Sequence, residues 1–510
     1  MQNKKRRGFH FPVRITVIGA LIALQIALLI LLIIALSEQT VVVYFVFEAI
    51  SIMMVIHNVN KPGNPSYKIT WIIVILLFPL FGGLFYLFWG DNRISPGKRK
   101  RWSRIEAGSA RYLSQDAEVE QALWLSSPFY ARQSRYLKIE SGYPVYSNTL
   151  TDCLSPGEKI LPKLLELLES AQRYIFIEFF ILAQGHMWDQ IHAVLRRKAA
   201  AGVEIRMIFD DIGSCDRQYK GFMQGLRSEG IKIAVFNPFR PSVDVFLNNR
   251  NHRKIVVADG IAAMTGGINV GDEYINELNV HGYWMDSAVF LRGDAAWSFT
   301  VMFLEMWQFV TKRSTDISGF YPLKRYSAPG FVQPYCDGPL SESCAARGIY
   351  MQIIAAACRY VYIVSPYLIL DSEMIGALVQ AARSGIDVRI VTPKNPDKWY
   401  VHTVTHYNYT QLLKSGIRIF EYTPGFVHSK LFIADDSVAT VGSVNMDYRS
   451  YYFHFECGCW MYNTQAVLQV REDVRGIFAA SEEILYEKWK KRPVGRKIMQ
   501  SLLHLAAPFM

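Results

Sequence analysis

Apolar residues crowd the start of this chain and then settle into a regular alternation. Residues 15–36 form a run of 22 without a charge, enough to cross the hydrocarbon core of a bilayer. Residues 41–56 form a shorter run that carries Glu48, and residues 71–90 a third that contains Pro79, Gly82 and Gly83. A cleaved signal peptide does not fit the first run, which is too long and has no small-residue cleavage site after it. The prediction is two to three hydrophobic membrane helices within residues 1–92. From about residue 155 the pattern becomes helix-like segments separated by short β-rich runs. Residues 171–178 (AQRYIFIE) match 357–364 (ACRYVYIV), 201–209 (AGVEIRMIF) match 384–392 (SGIDVRIVT), and 228–235 (SEGIKIAV) match 414–420 (KSGIRIF). Each half therefore runs helix, strand, helix, Gly-led strand, helix, Gly-led strand. Such runs point to α/β units with largely buried sheets. A repeat this long means two similar domains, not a solenoid. Residue 201 corresponds to 384 but 252 to 428, so the first half holds extra residues, placed at 239–250.

The expected fold class is thus α/β, with two similar α/β domains related by a pseudo-twofold. They are predicted at 151–325 and 326–510, the second with a basic C-terminal tail. A basic juxtamembrane linker at 93–150 joins them to the membrane region. A chain of 510 residues is in any case too long for one core.

The net charge of +11 sits at the edges of the apolar runs. Lys4, Lys5, Arg6, Arg7 and Arg14 lead into the first. Arg93, Lys98, Arg99, Lys100, Arg101 and Arg104 follow the third, with only Asp91 against them, and a further basic patch spans 488–497. Basic residues flanking apolar segments mark a membrane protein with basic loops on the cytoplasmic side. An anionic lipid surface, not nucleic acid, is the partner this pattern favours. The soluble part then faces the cytoplasm. Three full spans would leave Lys4–Arg7 outside, against the same rule, so one run is not a full span or one cluster yields. Residues 494–505 carry Ile498, Leu502 and Leu505 at spacings of four and three beside Arg496 and Lys497. They read either as an interfacial helix or as one packed on the protein. The seven cysteines are scattered and contain no CxxC pair, which argues against a zinc or disulfide framework and suits a reducing compartment.

The repeat carries chemistry. Residues 252–269 read HRKIVVADGIAAMTGGIN and 428–445 read HSKLFIADDSVATVGSVN. Each gives a histidine, a lysine two later, an aspartate seven later and an asparagine seventeen later. Residues two apart on a strand face the same way, so His252 and Lys254 share a face, as do His428 and Lys430. The following turns place Gly267 or Ser443 where backbone can approach an anion, and Asn269 and Asn445 add amide donors. Brought together, the two copies would surround one tetrahedral phosphate with donors and positive charge. Two histidines suit a two-step displacement, one attacking phosphorus and the other moving the proton. The lysines supply positive charge, so neither metal nor cofactor is required. Asp259 and Asp435 follow a strand and precede a turn, where aspartate holds loops by hydrogen bonds. Glu456, 28 residues past His428, and Asp286, 34 past His252, are the candidate carboxylates that fix the histidine tautomers. Glu178 is an acid inside an apolar strand and needs a partner.

The doubled HxKx4Dx6G[GS]xN pattern resembles the phospholipase D superfamily, and within it the bacterial cardiolipin synthases. FDDIGS at 209–214, GGINVGDEY at 266–274, YWMDSAVFLRG at 283–293, YTPGFVHSK at 422–430 and GSVNMDYRS at 442–450 carry the likeness, with the run at 71–90 and the tail SLLHLAAPFM. The resemblance implies that two phosphatidylglycerol molecules become cardiolipin and glycerol, on a multi-pass protein of the bacterial cell membrane. A phospholipase D-type hydrolase or another phosphatidyltransferase is the alternative. It implies His252 as nucleophile, His428 as general acid/base, and phosphate contacts from Lys254, Lys430, Asn269 and Asn445. It also draws the motif aspartates Asp259 and Asp435 into the catalytic set. His454 departs from the family pattern, which often has Asn there. A non-catalytic scaffold is disfavoured because both copies keep His and Lys.

Overall fold

The computed structural model describes residues 40–61, 63–78, 82–86, 94–214, 221–238, 248–322, 326–341 and 344–510. The chain divides into two compact units, Met1–Asn92 with Phe239–Val245, and Arg93–Pro238 with Phe246–Met510. In the first, helices cover Thr40–Asn60, Pro65–Leu77 and Gly82–Phe85. The second of these starts at a proline, and the Asn64 side chain accepts from the backbone N–H groups of Ser66 and Tyr67, as a capping residue should. Among the described residues no helix is long and apolar enough to cross a membrane. The run at 15–36, the cluster at Lys4–Arg7 and parts of the third run lie outside the described residues, as does most of the insertion placed at 239–250.

The second unit contains the repeat. Its strands are β1 (Thr149–Leu154), β2 (Tyr174–Phe179), β3 (Glu204–Asp210), β4 (Lys232–Phe236), β5 (Arg250–Asn251), β6 (Ile255–Ala258), β7 (Ala262–Gly266), β8 (Tyr283–Met285) and β9 (Ala288–Gly293) in the first lobe. The second lobe has β10 (Phe331–Asp337), β11 (Tyr360–Val364), β12 (Asp387–Pro393), β13 (Arg418–Tyr422), β14 (Gly425–Val427), β15 (Leu431–Ala434), β16 (Val438–Gly442), β17 (His454–Tyr462) and β18 (Ser481–Ile484). The first sheet runs β1-β9-β7-β6-β2-β3-β4 and the second β10-β17-β16-β15-β11-β12-β13-β18. Strand for strand the orders agree, with β18 added at one edge. The matched sequence pairs fall on matched strands: AQRYIFIE gives β2 and ACRYVYIV gives β11, each parallel to the Gly-led strand that follows.

Three large cores hold the unit together, with a small fourth around Val404 and Tyr448. One joins the lobes, with Val257, Ala263 and Val289 of the first sheet packed among Leu431, Val441 and Cys457 of the second. The helix Ala296–Thr311 is buried almost all round in this shared core, the expected fate of a helix apolar on every face. The other two lie under the outer helices of each lobe. The expected linker at 93–150 is folded instead. Helices at Pro96–Ser109, Ala117–Ser126 and Pro128–Ser141 bury Trp102, Leu123 and Leu137 against the lobes. The side chain of Gln133 accepts from Trp460 Nε1 at 3.1 Å and donates to the carbonyl of Gln352. Charge is dense on the outer faces of these helices, although Trp124, Leu125, Phe129 and Ile139 are exposed there too.

Candidate active site

Each histidine is held by the opposite lobe. β5 pairs in parallel with the start of β17, Arg250 opposite His454 and Asn251 opposite Phe455, and the His252 N–H then donates to the Phe455 carbonyl at 2.9 Å. β14 pairs in the same sense with β8, Val427 opposite Met285, and the His428 N–H donates to the Met285 carbonyl at 2.7 Å. These two short ribbons deliver carboxylates across the lobe boundary. Glu456 Oε1 lies 2.9 Å from His252 Nδ1, and Asp286 Oδ2 lies 2.7 Å from His428 Nδ1. The sequence distances suggest a partner within each lobe; the pairing is crossed, because the strand carrying each acid begins against the other lobe's motif. With Nδ1–H donated to a carboxylate, each ring turns a bare Nε2 to the site.

Four basic groups meet here. Lys254 Nζ donates to the His252 carbonyl at 2.6 Å, and Lys430 Nζ to that of His428. Burial pushes Lys254 down to about 7, with Lys430 adding to the fall and Glu456 resisting it. Burial likewise brings Lys430 to about 8 against the pull of Asp286 and Glu456. His428 falls to about 4 through burial and the charge of Lys430. His252 is driven well below its ordinary value by burial, then by Lys254, Lys430 and His428. A group that feels both lysines and the other histidine shares one site with them. Burial works to raise Asp286, but His428, Lys430 and the Ser287 N–H outweigh it and hold the carboxyl below the usual range. A cradle with this much crowded positive charge favours an anion.

The carboxylates are supported differently. Ser443 Oγ donates to Glu456 Oε2 and accepts from the Cys457 N–H at 3.0 Å. A Cβ on Gly267, the matching residue, would stand 2.2 Å from Asp286 Oδ1 and 3.0 Å from the His428 carbonyl. Glycine at 267 therefore makes room for the Asp286–His428 pair. Gly267 and Ser443 thus support the acids that hold the histidines, a role one step removed from the anion contact expected of them. Asn269 is also already engaged: its amide oxygen accepts from the Ile181 N–H and its NH2 donates to Tyr274. Asn445 keeps a buried Oδ1 with no partner.

Asp259 and Asp435 stand apart from this chemistry, at the far ends of β6 and β15. Asp259 accepts from the N–H groups of Gln172, Arg173 and Tyr174, and Asp435 from those of Cys358, Arg359 and Tyr360. Both sit at positive φ, 54° and 56°, a backbone state that aspartate tolerates in turns. Their inclusion in the catalytic set is corrected by this placement: they tie β6 to β2 and β15 to β11.

Two residues singled out in the sequence find their partners here. Glu178 accepts from Arg253 Nε at 2.8 Å and Asn251 Nδ2 at 2.7 Å, all fully buried. Arg253 lies between the motif His and Lys, so an HRK spelling beside a strand acid was the available signal. His454 faces His252 with ring centroids 5.5 Å apart. Its Nε2 accepts from Arg449 at 3.2 Å, and its Nδ1 lies 3.7 Å from Glu456 Oε1. Donor atoms of His252, His454 and Glu456 lie within 4.8 Å of one another, as do those of His402, His406 and Glu421. A cation at the first group would displace the His252–Glu456 bond and crowd Lys254. At the second, His406 Nδ1 accepts from Arg496, so its Nε2 carries the proton that Glu421 receives at 2.8 Å and is unavailable to a metal.

A two-lobed α/β enzyme with one phosphate-type site at the seam is the class defined by this geometry, and the known proteins agree. The family described as cardiolipin synthase, PLD-like domain, matches residues 164–306 and 350–477. A second family, phospholipase D-nuclease N-terminal, matches 49–90. The chain is 37% identical over 462 residues to an uncharacterized protein of Streptococcus mutans serotype c, covering 89% of this chain and 99% of that protein. It is 32% identical over 453 residues to a cardiolipin synthase of Geobacillus sp. (strain WCH70), covering 88% and 89%. The crystal structure of phosphatidylserine synthase from Haemophilus influenzae Rd KW20 superposes with a TM-score of 0.56 at 13% identity, covering 75% of this chain and all of that one, a likeness of fold. The chain belongs to the cardiolipin synthase, PLD-like domain family.

Proposed function

We propose that the protein converts two phosphatidylglycerol molecules into cardiolipin and glycerol through a phosphohistidine on His252. Membership of the family makes it a phosphatidyltransferase. The observation that carries the finer reading is the crossed pairing, which leaves two bare Nε2 atoms beside two buried lysines. His252 Nε2 attacks phosphorus, and the bond from phosphorus to the glycerol oxygen breaks. The departing alkoxide takes a proton from His428. The hydroxyl of the second phosphatidylglycerol then gives its proton to His428 and attacks, and the P–N bond breaks. Burial and the charge of Lys430 hold His428 at about 4, so it is neutral near pH 7. An anionic phosphodiester between the lysines raises it toward the range where it can donate.

The reading also takes the catalytic unit to the cytoplasmic face of a bacterial membrane. The helix Val494–His504 supports this: Val494, Ile498, Met499 and Leu502 are exposed along it, next to Arg496 and Lys497, a combination suited to an anionic interface. The test is product analysis of purified protein in phosphatidylglycerol vesicles. Glycerol release matched by cardiolipin is the expected result. Phosphatidic acid as the main product would make water the acceptor and overturn the transferase reading.

A further inference from the structure

Away from the histidines, the helix Pro96–Ser109 and the turn after the helix Ala296–Thr311 enclose a cleft of about 620 Å³. That volume is typical of small-ligand sites. Five cations line it, Arg101, Arg104, Arg111, Lys312 and Arg313, against one carboxylate, Asp316. Asp316 is occupied elsewhere, accepting from both the hydroxyl and the N–H of Ser318. Among the described residues none of the five cations lies within ion-pair distance of a carboxylate. Arg101 is the most telling: its guanidinium lies 4.6 Å over the Phe309 ring, and its Nε is shut off from water with no acceptor. A buried donor without a partner is costly, and five like charges around one cleft repel unless an anion lies among them.

We propose that this cleft is a second phosphate site, distinct from the histidine centre, which takes the headgroup phosphate of an anionic phospholipid. Guanidinium forks match phosphate oxygens in pairs, and four of the five cations are arginines, with Lys312 next to Arg313 in sequence. The helix that forms one wall is the first element of its unit after the apolar N-terminal runs. None of the repeated-motif residues lines the cleft, so the site does not depend on the reaction assigned above.

The test counts bound molecules by native mass spectrometry of the full chain in non-ionic detergent. The probes are dioctanoyl phosphatidic acid, inorganic phosphate and dioctanoyl phosphatidylcholine. Arg104→Gln/Lys312→Gln/Arg313→Gln alters exposed side chains only, so its folding is not at risk; Arg101→Gln is the second variant. Removing three cations should weaken one phosphatidic acid adduct about a hundredfold, while a second adduct, at the histidine centre, stays. Inorganic phosphate bound equally well, and lost equally in the variant, would keep the phosphate site but make its source free phosphate. Unchanged adducts in both variants, or phosphatidylcholine held as tightly as phosphatidic acid, would overturn the proposal. A protein without cardiolipin synthesis that still loses this adduct in the variant would separate failure of the reaction from failure of the site.

Discussion

The first lobe carries a buried ion pair beside its motif histidine, whereas the second has two valines and a serine in those places. Glu178, Asn251 and Arg253 form one buried cluster, the latter two flanking His252 in sequence. The residues at the same places in the second lobe are Val364, Val427 and Ser429. Ser429 accepts from the Ser287 hydroxyl at 2.8 Å. Burial pushes Glu178 up and Arg253 pulls against it, while Glu178 keeps Arg253 charged. Even so, Glu178 Oε2 and Arg253 Nη1 find no partner. Equal chemistry at the motif thus rests on unequal supports, and the support that costs most to disturb lies under the residue assigned the covalent step.

The largest effects should follow the crossed carboxylates. Glu456→Gln should behave as a lesion of His252, with covalent labelling by phosphatidylglycerol slowed about 10²–10⁴-fold. Asp286→Asn should behave as a lesion of His428, slowing both departure of the glycerol alkoxide and activation of the second hydroxyl, and so match His428→Ala in labelling and in turnover. If Asp286→Asn instead leaves both rates near normal while His428→Ala does not, Asp286 does not serve His428 and the crossing has no kinetic meaning. The supports can be compared by urea unfolding. Glu178→Gln leaves Arg253 buried and unpaired and should cost about 3–5 kcal/mol, against about 1–2 kcal/mol for Val364→Ala. Glu178→Val with Arg253→Met should recover most of the loss; a double variant as unstable as Glu178→Gln would mean the pair itself stabilises the lobe.

The glycine–serine difference gives a smaller contrast. Ser443→Gly removes one charged hydrogen bond, about 1.5–3 kcal/mol, and should lower the labelling rate modestly. Gly267→Ser puts a Cβ against Asp286 and should damage turnover more than its mirror image does. The smallest effect is in pH. Lys254 at about 7 and Lys430 at about 8 are cationic below those values and lose charge as pH rises through them. Because substrate is anionic, kcat/KM should decline by up to tenfold per unit above about pH 7–8. Lys430→Arg stays charged and should remove the part of that limb due to Lys430. A limb that does not move would assign it to another group.

Much of this was legible beforehand. The doubled HxK spelling, the buried β-rich runs and the Gly-led strands fix the two lobes and the four basic residues, because strand periodicity and turn chemistry are local. The crossing of Glu456 and Asp286 was not, since 28 or 34 residues of separation say nothing about which lobe a strand end meets. The helices around Trp102, Leu123 and Leu137 were masked by the charge spread over their outer faces. Asn269 carried the right amide for a phosphate, but Tyr274 and Ile181 already satisfy it, a competition that only packing reveals.

The ribbons β5–β17 and β14–β8 bear on how such a chain can arise. A lobe by itself would keep its imidazole and ammonium group but surrender the acid that orients the ring. Any half-length forebear of this design would have been idle as a monomer and competent only as a twofold pair of copies. With both copies in one chain, each motif can differ in what backs it, and here one has an arginine–glutamate brace where the other has two valines and a serine.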